Sequence, residues 1–362
     1  MKSQYLFSLL AAATLAAPLS AETAPASEAP AIHDSIGRAG MAAAALGSRE
    51  TAHSIIMVGG ANFPQAKPNA KSAADRGPKV FYADVALWKI GGPAPEVIGA
   101  LPYPVGYAAS IGATNGMIVA GGCNADGHLA KTTGLRIGPD GKATAGVLPD
   151  LPCTIAYPAF ASTNEALYVM GGQEKADSTC CLNRVFMLNM HDPAAGWKEL
   201  APMPDARMLA SAGIAHGRIY VAGGCSLHPN AEGQAERTYL DTVLCYDIAT
   251  NTWSTLPERM PETIVGAATP MQRHGDKLLL LCGDPGNYYR ASLVGKAPAQ
   301  HPGQSRRIYS FDPATLKWTP AGEAPLGIAT APSVAVGNTV FIISGETGPG
   351  VRTPIISEIN PQ

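Results

Sequence analysis

The sequence predicts an all-β protein folded as a β-propeller of six blades, and three observations support this. Glycine and proline together supply 70 of 362 residues, whereas only 15% of residues are charged, which is typical of a turn-rich β protein with a large core. Apolar strands that end in a pair of small residues recur six times, at intervals of between 50 and 62 residues. Each recurrence is followed by a variable loop and a second strand, so the repeated unit is a supersecondary structure.

The six repeats share a run of apolar residues followed by Gly-Gly or a close variant. They occupy residues 55–60, 117–122, 167–172, 219–224, 278–283 and 340–345. A period near ~50 residues with paired glycines is the kelch signature of a β-propeller. The last two copies are degenerate and end in Cys282-Gly283 and Ser344-Gly345. Six repeats predict six blades in a single domain, residues 31–362.

The outermost strand of a blade is predicted from a tryptophan. Trp197, Trp253 and Trp318 each open a short strand, and we expect them to pack between blades. The first two repeats lack this tryptophan, so their outer strands are predicted around Val97 and Val147.

The two chain ends are predicted to close the ring together. The sixth repeat stops after one strand beyond its loop, residues 353–359, so its outermost strand must come from elsewhere. The spare segment is residues 31–36, and pairing this N-terminal strand with the C-terminal strands in one blade removes exposed sheet edges. Residues 22–30, rich in Ala, Glu and Pro, are predicted to be a flexible lead-in.

The first 21 residues read as a signal peptide. A basic start is followed by the apolar run 6–17 and by small residues up to Ala21, so we expect cleavage there and export of the mature chain. The apolar run is too short to span a bilayer. The formal charge of −2 offers no basic field for nucleic acid.

The cysteines and histidines give no metal-binding pattern. Seven cysteines in an exported protein would meet an oxidising compartment, and an odd number leaves at least one unpaired. Inert buried thiols and disulfides both fit them, and the adjacent Cys180-Cys181 could also bind a soft metal or form a strained bridge. No CxxC, HxH or HxxxH spacing is present, so we expect no metal site.

Strand alternation places the candidate functional residues on one face. In a blade whose strands a to d run outwards from the channel, the b-to-c loops and the d-to-a connections open at the same end. The candidate polar residues in these connections are Asn62, Tyr107, Arg207, Asn287, Glu346 and Arg352.

Glu346 and Arg352 form the strongest candidate pair, in a loop stiffened by Gly348, Pro349 and Gly350. A carboxylate at the end of an apolar strand can act as a general base, and an arginine can hold a substrate carboxylate. The alternative is a salt bridge across a turn.

Each of the other candidate residues has both a binding and a structural interpretation. Arg207 could provide a second contact to an anion, or could pair with Asp205 or a neighbouring blade. Asn62, Tyr107 and Asn287 could bind sugar hydroxyls, or could serve as turn or packing residues.

Residues 344–353 carry a resemblance to a known family. Their sequence, Ser-Gly-Glu-Thr-Gly-Pro-Gly-Val-Arg-Thr, is similar to Asn-Gly-Glu-Ala-Lys-Pro-Gly-Leu-Arg-Thr of the bacterial N-acetylneuraminate epimerases. These sialic acid mutarotases are periplasmic six-bladed kelch propellers. The family has this stretch in mid-chain, whereas residues 84–88 and the repeat ending at Gly122 look like its last blades moved to the front. The chain therefore resembles a cyclically permuted branch, which the neighbouring termini of a closed ring make tolerable.

The resemblance implies an activity and its residues. The family's proton acceptor falls on Glu346, its loop arginine on Arg352, and an arginine of a Pro-Arg connection on Arg207. The implied reaction interconverts the α and β anomers of N-acetylneuraminate in the periplasm, without metal or cofactor. The sequence departs from the family at 122–124, where Gly-Cys-Asn replaces Gly-Glu-Thr, and at 104–105, where Pro-Val replaces an arginine.

Two other functions remain open from the sequence. The chain could be a non-catalytic propeller that binds a glycan or a protein on the same face. It could also be a glycosidase, which would need a second positioned carboxylate such as Glu174 or Asp126.

Overall fold

The computed structural model describes residues 30–66, 73–298 and 300–361. The predicted signal peptide, residues 1–21, and residues 22–29 of the predicted lead-in lie outside this range. The described residues form six antiparallel sheets arranged as the blades of a β-propeller, which confirms the predicted fold class.

Five blades have four strands and the sixth has three. Blade one contains Ala42–Ala45, Ser54–Val58, Asp84–Lys89 and Glu96–Ala100, and blade two contains Ala109–Ala113, Gly116–Ala120, Thr132–Ile137 and Ala143–Leu148. Blade three contains Ala159–Ser162, Ala166–Met170, Val185–Asn189 and Trp197–Leu200, and blade four contains Ser211–Ala215, Arg218–Ala222, Val243–Asp247 and Thr252–Thr255. Blade five contains Ala268–His274, Lys277–Gly283, Ser305–Asp312 and Lys317–Glu323, and blade six contains Ser333–Val336, Thr339–Ile343 and Ile356–Ile359.

The connections between strands b and c carry most of the remaining structure, and one short turn lies between strands c and d of blade three. Four of them form two-stranded hairpins: Ala61–Asn62 with Val80–Phe81, Cys123–Asn124 with Gly127–His128, Cys225–Pro229 with Ala235–Tyr239, and Glu346–Gly348 with Val351–Arg352. Short helices span Ala73–Arg76 and Asn287–Leu293, and a 3-10 turn spans Pro193–Ala195. In the part of the chain described here, no helix is long and apolar enough to cross a membrane.

The small-residue pairs end strand b because the backbone there turns through the left-handed region, close against the adjoining d-to-a connections. In blade one, Gly59 and Gly60 have φ values of 62° and 87°. A Cβ on Gly59 would lie 2.2 Å from the Val105 carbonyl oxygen, and one on Gly60 would lie 2.5 Å from Cγ of Met41. The second position is glycine in all six repeats, whereas the first also accepts Cys282 and Ser344 in blades five and six, at φ values of 60° and 56°. The repeated glycine therefore marks the end of strand b in every blade.

A closed ring of six backbone hydrogen bonds surrounds the channel at its neck. One residue from each d-to-a connection has a φ between 53° and 65°, and its N–H donates to the carbonyl of the equivalent residue in the adjacent blade over 2.7–3.1 Å. The six residues are Gly40, Tyr107, Tyr157, Leu209, Gly266 and Thr330. Because Gly40 bonds to Thr330, the ring joins the first blade to the last and fixes where the connections sit around the channel mouth.

The outer strands follow the sequence prediction. Nε1 of Trp253 donates to the Ala201 carbonyl of blade three at 2.8 Å, and Nε1 of Trp197 reaches Thr132 Oγ1 of blade two at 3.1 Å. Both tryptophans therefore bridge blades. The strands around Val97 and Val147 form without a tryptophan.

The chain ends meet in blade six, but the predicted N-terminal strand over 31–36 is wrong in extent. Ala31 forms a single antiparallel bridge with Ile355, and Ile32 N donates to the Pro354 carbonyl at 2.7 Å. The extended run then stops because the Asp34 carboxylate accepts the backbone N–H of Ile36 at 3.0 Å and turns the chain. Closure is thus one bridge beside the third strand of the blade.

Deleting residues 22–36 is expected to lower the free energy of unfolding by about 3 kcal/mol or more. The deletion removes Ile32, which is buried at 4% exposure, and the Asp34 partner of Arg38. Any activity that depends on the loop of Glu346 should fall as well, because the Arg38 backbone carbonyl accepts Gly345 N at 2.8 Å, next to Glu346. Thermal unfolding measures the first effect. A deletion that stops at residue 29 keeps these contacts and is the control; full activity and unchanged stability of the longer deletion would contradict this placement.

All seven cysteines are free thiols, and five of them are buried. Burial raises the pKa of Cys225 to about 11 and the pKa of Cys181 and Cys282 to about 12. Such thiols stay protonated at neutral pH and pack as small apolar groups, which is one of the two alternatives from the sequence. Within residues 30–66, 73–298 and 300–361, no group of three His, Cys, Asp or Glu side chains could hold a metal ion.

Candidate functional site

Six equivalent residues surround the channel mouth. Each directly follows the small-residue pair of a strand b, and each forms an isolated antiparallel bridge with the residue before a neck-ring residue. The six are Ala61, Cys123, Gln173, Cys225, Asp284 and Glu346. Only two of these positions carry carboxylates, and they belong to adjacent blades, five and six.

Glu346 lines the cavity at this mouth. Its backbone is fixed by a pair of hydrogen bonds, because Glu346 N donates to the Ala329 carbonyl at 2.9 Å and Ala329 N donates to the Glu346 carbonyl at 2.8 Å. Its Oε1 accepts the N–H of Gly350 at 3.1 Å, and its side chain is 20% exposed. The carboxylate is therefore held by its own loop, with one face open to the cavity.

Arg352 lies directly opposite Glu346 in the hairpin register. Its Nη1 is 2.9 Å from Glu346 Oε2, which is an ion pair by distance, although the angle falls outside hydrogen-bond geometry. The Arg352 side chain is 3% exposed, and its guanidinium carbon lies 5.3 Å from the centre of the Phe63 ring. The structure thus brings the predicted pair together, with the arginine behind the carboxylate.

The cavity above the neck has a volume of about 450 Å³, which is within the range of small-molecule sites. Its charged lining consists of Glu346, Lys79 and Arg237. Its other polar and aromatic lining residues are Tyr107, His128, Tyr157, Gln173 and Thr330. Among the described lining residues there is one carboxylate facing two cations, an arrangement suited to an anionic polar ligand.

Tyr107 is the binding candidate that the structure places in this cavity. Its ring centre lies 4.8 Å from that of Tyr157, and its hydroxyl is 3.4 Å from Lys79 Nζ. Burial raises the pKa of Tyr157, so its phenol remains a neutral donor. His128 Nδ1 lies 3.0 Å from the Gln173 carbonyl, and burial lowers the His128 pKa. These residues form the polar wall opposite Glu346.

Asn62 and Asn287 lie outside this cavity. Asn62 is fully buried: its Nδ2 donates to Asp34 Oδ2 and to the Gly37 carbonyl, and its Oδ1 accepts the Tyr82 hydroxyl. Asn287 is exposed at the start of its helix, where its Oδ1 accepts Arg290 Nη2 at 2.8 Å. Both side chains therefore bind to other parts of the protein, which agrees with the alternative that they are structural residues. Their predicted contact with sugar hydroxyls is not supported.

Arg207 is also a structural residue rather than an anion contact. Its Nε and Nη2 donate to the two Asp205 oxygens, both at 2.7 Å, and its Nη1 donates to the carbonyls of Gly223 and Thr242. Nη2 also donates to Thr242 Oγ1 at 2.9 Å. With 1% exposure and every nitrogen engaged, it ties blade three to blade four and leaves no donor for a substrate. The pairing with Asp205 weighed from the sequence is confirmed.

Sequence reasoning missed Lys79, Arg237, His128 and Gln173. Gln173 had a detectable signal, because it follows Gly171-Gly172 at the position equivalent to Glu346. Lys79 and Arg237 lie deep in long b-to-c insertions, where no repeat spacing indicates which side chains turn inwards. His128 ends a two-residue hairpin strand that the sequence did not suggest.

The fold and site together define a six-bladed kelch-type propeller with an acid and two cations in a cavity at the channel mouth. Comparison with known proteins confirms the resemblance found in the sequence. A family model described as N-acetylneuraminate epimerase matches residues 148–301. That match includes Arg237 but does not reach the loop of Glu346 and Arg352.

Curated relatives carry the same name. N-acetylneuraminate epimerase of Haemophilus influenzae (strain PittEE) is 29% identical over 232 residues, which cover 58% of each chain. The protein of that name from Yersinia enterocolitica is 28% identical, over 59% of this chain and 57% of the relative. The one from Escherichia coli (strain K12) is 27% identical, over 60% of this chain and 61% of the relative. The chain thus aligns with less than two thirds of the length of these relatives.

Proposed function

We propose that the protein is a mutarotase that interconverts the α and β anomers of N-acetylneuraminate. The observation that carries the proposal is the Glu346 carboxylate, fixed by its own hairpin and open to a cavity that also holds Lys79 and Arg237. The similarity to N-acetylneuraminate epimerases supports the choice of substrate. The cyclic permutation remains a prediction, and partial alignment with each relative is what a permuted order would produce.

Glu346 performs the proton transfers in this proposal. It takes the proton from the anomeric hydroxyl at C2, the bond between C2 and the ring oxygen breaks, and the proton passes to that oxygen. Rotation about the C2–C3 bond presents the other face of the open-chain ketone. The ring oxygen then attacks that face and loses its proton, which returns through Glu346 to the oxygen on C2. Arg352 holds the carboxylate of Glu346 in position through the ion pair between them.

The cavity geometry favours this reaction over glycoside hydrolysis. Hydrolysis by the usual routes needs two carboxyl groups on either side of the scissile bond. Glu174 and Asp126 do not line the cavity, and Asp284 already accepts the Tyr239 hydroxyl at 2.8 Å and Gly286 N at 2.7 Å. Only Glu346 among the described lining residues can supply a carboxylate.

Exchange NMR on an equilibrated solution of N-acetylneuraminate tests the proposal against a binding function. Catalysis at equilibrium should produce exchange cross-peaks between the C3 protons of the two anomers, growing with protein concentration. Line broadening without cross-peaks would instead identify a propeller that binds the sugar without converting it.

We also propose that the protein works after export, in the periplasm, with residues 1–21 removed. The predicted signal segment supports this proposal. Cell fractionation and the mass of the mature chain test it: a cytoplasmic protein that retains its first 21 residues would contradict export.

A further inference from the structure

Arg237 lies on a hairpin that overhangs the cavity. The strands Cys225–Pro229 and Ala235–Tyr239 pair in a register that sets Leu227 opposite Arg237. Cross-strand partners share a face of the hairpin, and both of these residues line the cavity, as does Ala235 two positions away. The alternation of the strand therefore aims the Arg237 side chain towards the same space as Glu346.

The Arg237 guanidinium is uncommitted. No hydrogen bond or ion pair engages its side chain among the described residues, and the residue is exposed. Two other arginines predicted for the site differ: Arg207 uses every donor on blade four and Asp205, and Arg352 is 3% exposed behind Glu346. Lys79 offers a second positive charge to the cavity, but as a single ammonium already near the Tyr107 hydroxyl.

The backbone at Arg237 is held in place by the neighbouring blade. Its N–H donates to the Tyr289 hydroxyl at 3.2 Å, and the Tyr289 ring stacks on Tyr239 with centroids 5.4 Å apart. Tyr239 is anchored in turn by its hydroxyl on Asp284 Oδ2. The helix Asn287–Leu293 of blade five thus fixes the position from which a long, otherwise free side chain reaches the cavity.

We infer that Arg237 is the residue that binds the carboxylate of the substrate, and that Tyr289 positions it. The inference rests on the proposed function for the identity of the substrate. An arginine fork matches a carboxylate in two parallel hydrogen bonds, and no carboxylate among the described residues pairs with the fork of Arg237. In this assignment Arg352 positions the Glu346 carboxylate, and Arg237 binds the carboxylate of the substrate.

Substitution of Arg237 separates this role from a structural one. Arg237→Met is expected to raise KM for N-acetylneuraminate about 10- to 100-fold with little change in kcat, because a bond made equally before and during the reaction affects only binding. Arg237→Lys keeps the charge but not the fork and should fall between. Tyr289→Phe keeps the stacked ring but loses the acceptor, and we expect a KM increase of about 2- to 10-fold. The control is Arg136→Met, an exposed arginine on the third strand of blade two.

The methyl ester of N-acetylneuraminate provides the decisive comparison. The ester lacks the anionic group, so Arg237→Met should leave its KM unchanged while raising that of the free acid. Equal effects on acid and ester, or no effect on either, would overturn the assignment of Arg237.

Calorimetric binding of the free acid keeps this test distinct from that of the proposed function. If wild-type protein binds the sugar but exchanges no anomers, the mutarotase proposal fails and the same comparison is made with Kd. Wild-type protein that neither binds nor exchanges the sugar would overturn both.

Discussion

Replacing Glu346 by Gln is expected to lower kcat for anomer exchange by about 100- to 10,000-fold, the contribution typical of a positioned general base. The amide oxygen can still accept the N–H of Gly350, so the loop should keep its shape. NMR time courses of anomer conversion measure the change. Glu358→Gln, an exposed position on the last strand of blade six, is the matched control and should behave as wild type.

The loss of charge at Glu346 has a second consequence, which a double variant resolves. Arg352 is 3% exposed, so removing its counter-charge should also destabilise the fold. Glu346→Gln combined with Arg352→Met removes both partners and should recover stability without recovering activity. A Glu346→Gln variant that retains more than half of the wild-type kcat would contradict the assignment of the base.

Replacing Arg207 by Met is expected to lower the free energy of unfolding by about 3–5 kcal/mol and to leave KM unchanged. The substitution leaves the buried carbonyls of Gly223 and Thr242 without their donor and removes the partner of Asp205. Lysine should not rescue it, because one ammonium cannot replace a planar fork with five donors. Chemical denaturation measures stability, and anomer-exchange kinetics measure KM.

Arg184 provides the matched control for Arg207. It also binds a carboxylate through two hydrogen bonds, at 2.7 and 2.8 Å to Glu199, but on the surface. Arg184→Met should therefore cost less than about 1 kcal/mol. If the two substitutions destabilise equally, or if Arg207→Met raises KM in a folded protein, the structural role assigned to Arg207 is wrong.

The sequence predicted the ring of blades because the propeller repeats one backbone requirement. Gly59 and Gly60 have positive φ values, and a Cβ on either would collide with an adjoining d-to-a connection. The second glycine recurs in all six repeats, whereas Cys282 and Ser344 replace the first in blades five and six. A backbone requirement of this kind produces the same short motif at the end of strand b in every repeat. The position of Glu346 was predictable for the same reason, since it directly follows the sixth copy of that motif.

The orientation of individual side chains could not be predicted in this way. Arg207 and Tyr107 both lie in d-to-a connections, yet Arg207 turns into the joint between blades and Tyr107 lines the cavity. The difference arises from Asp205, whose pairing with Arg207 was one alternative from the sequence, and from the blade-four carbonyls of Gly223 and Thr242, which no repeat pattern marks. Arg237 depends likewise on the register of a hairpin and on a tyrosine hydroxyl from the next blade. Contacts between repeats decide these roles, and the repeat pattern does not encode them.

The extent of the N-terminal strand also depended on one local interaction. The sequence predicted a strand to fill the gap in blade six, and the chain does enter beside Ile355. The carboxylate of Asp34 then accepts a hydrogen bond from the backbone N–H of Ile36 and also pairs with Arg38. The chain therefore turns after a single bridge. The pairing of the two chain ends was therefore predictable, but the length of the N-terminal strand was not.

Time-resolved proton NMR of freshly released α-N-acetylneuraminate tests both the mutarotase function and the role of Glu346 in one experiment. We expect catalytic amounts of wild-type protein to accelerate the appearance of the β anomer in proportion to protein concentration, and Glu346→Gln to return the rate to that of buffer. Conversion at the buffer rate in the presence of folded wild-type protein would contradict the mutarotase function. Acceleration that survives in Glu346→Gln would contradict the site.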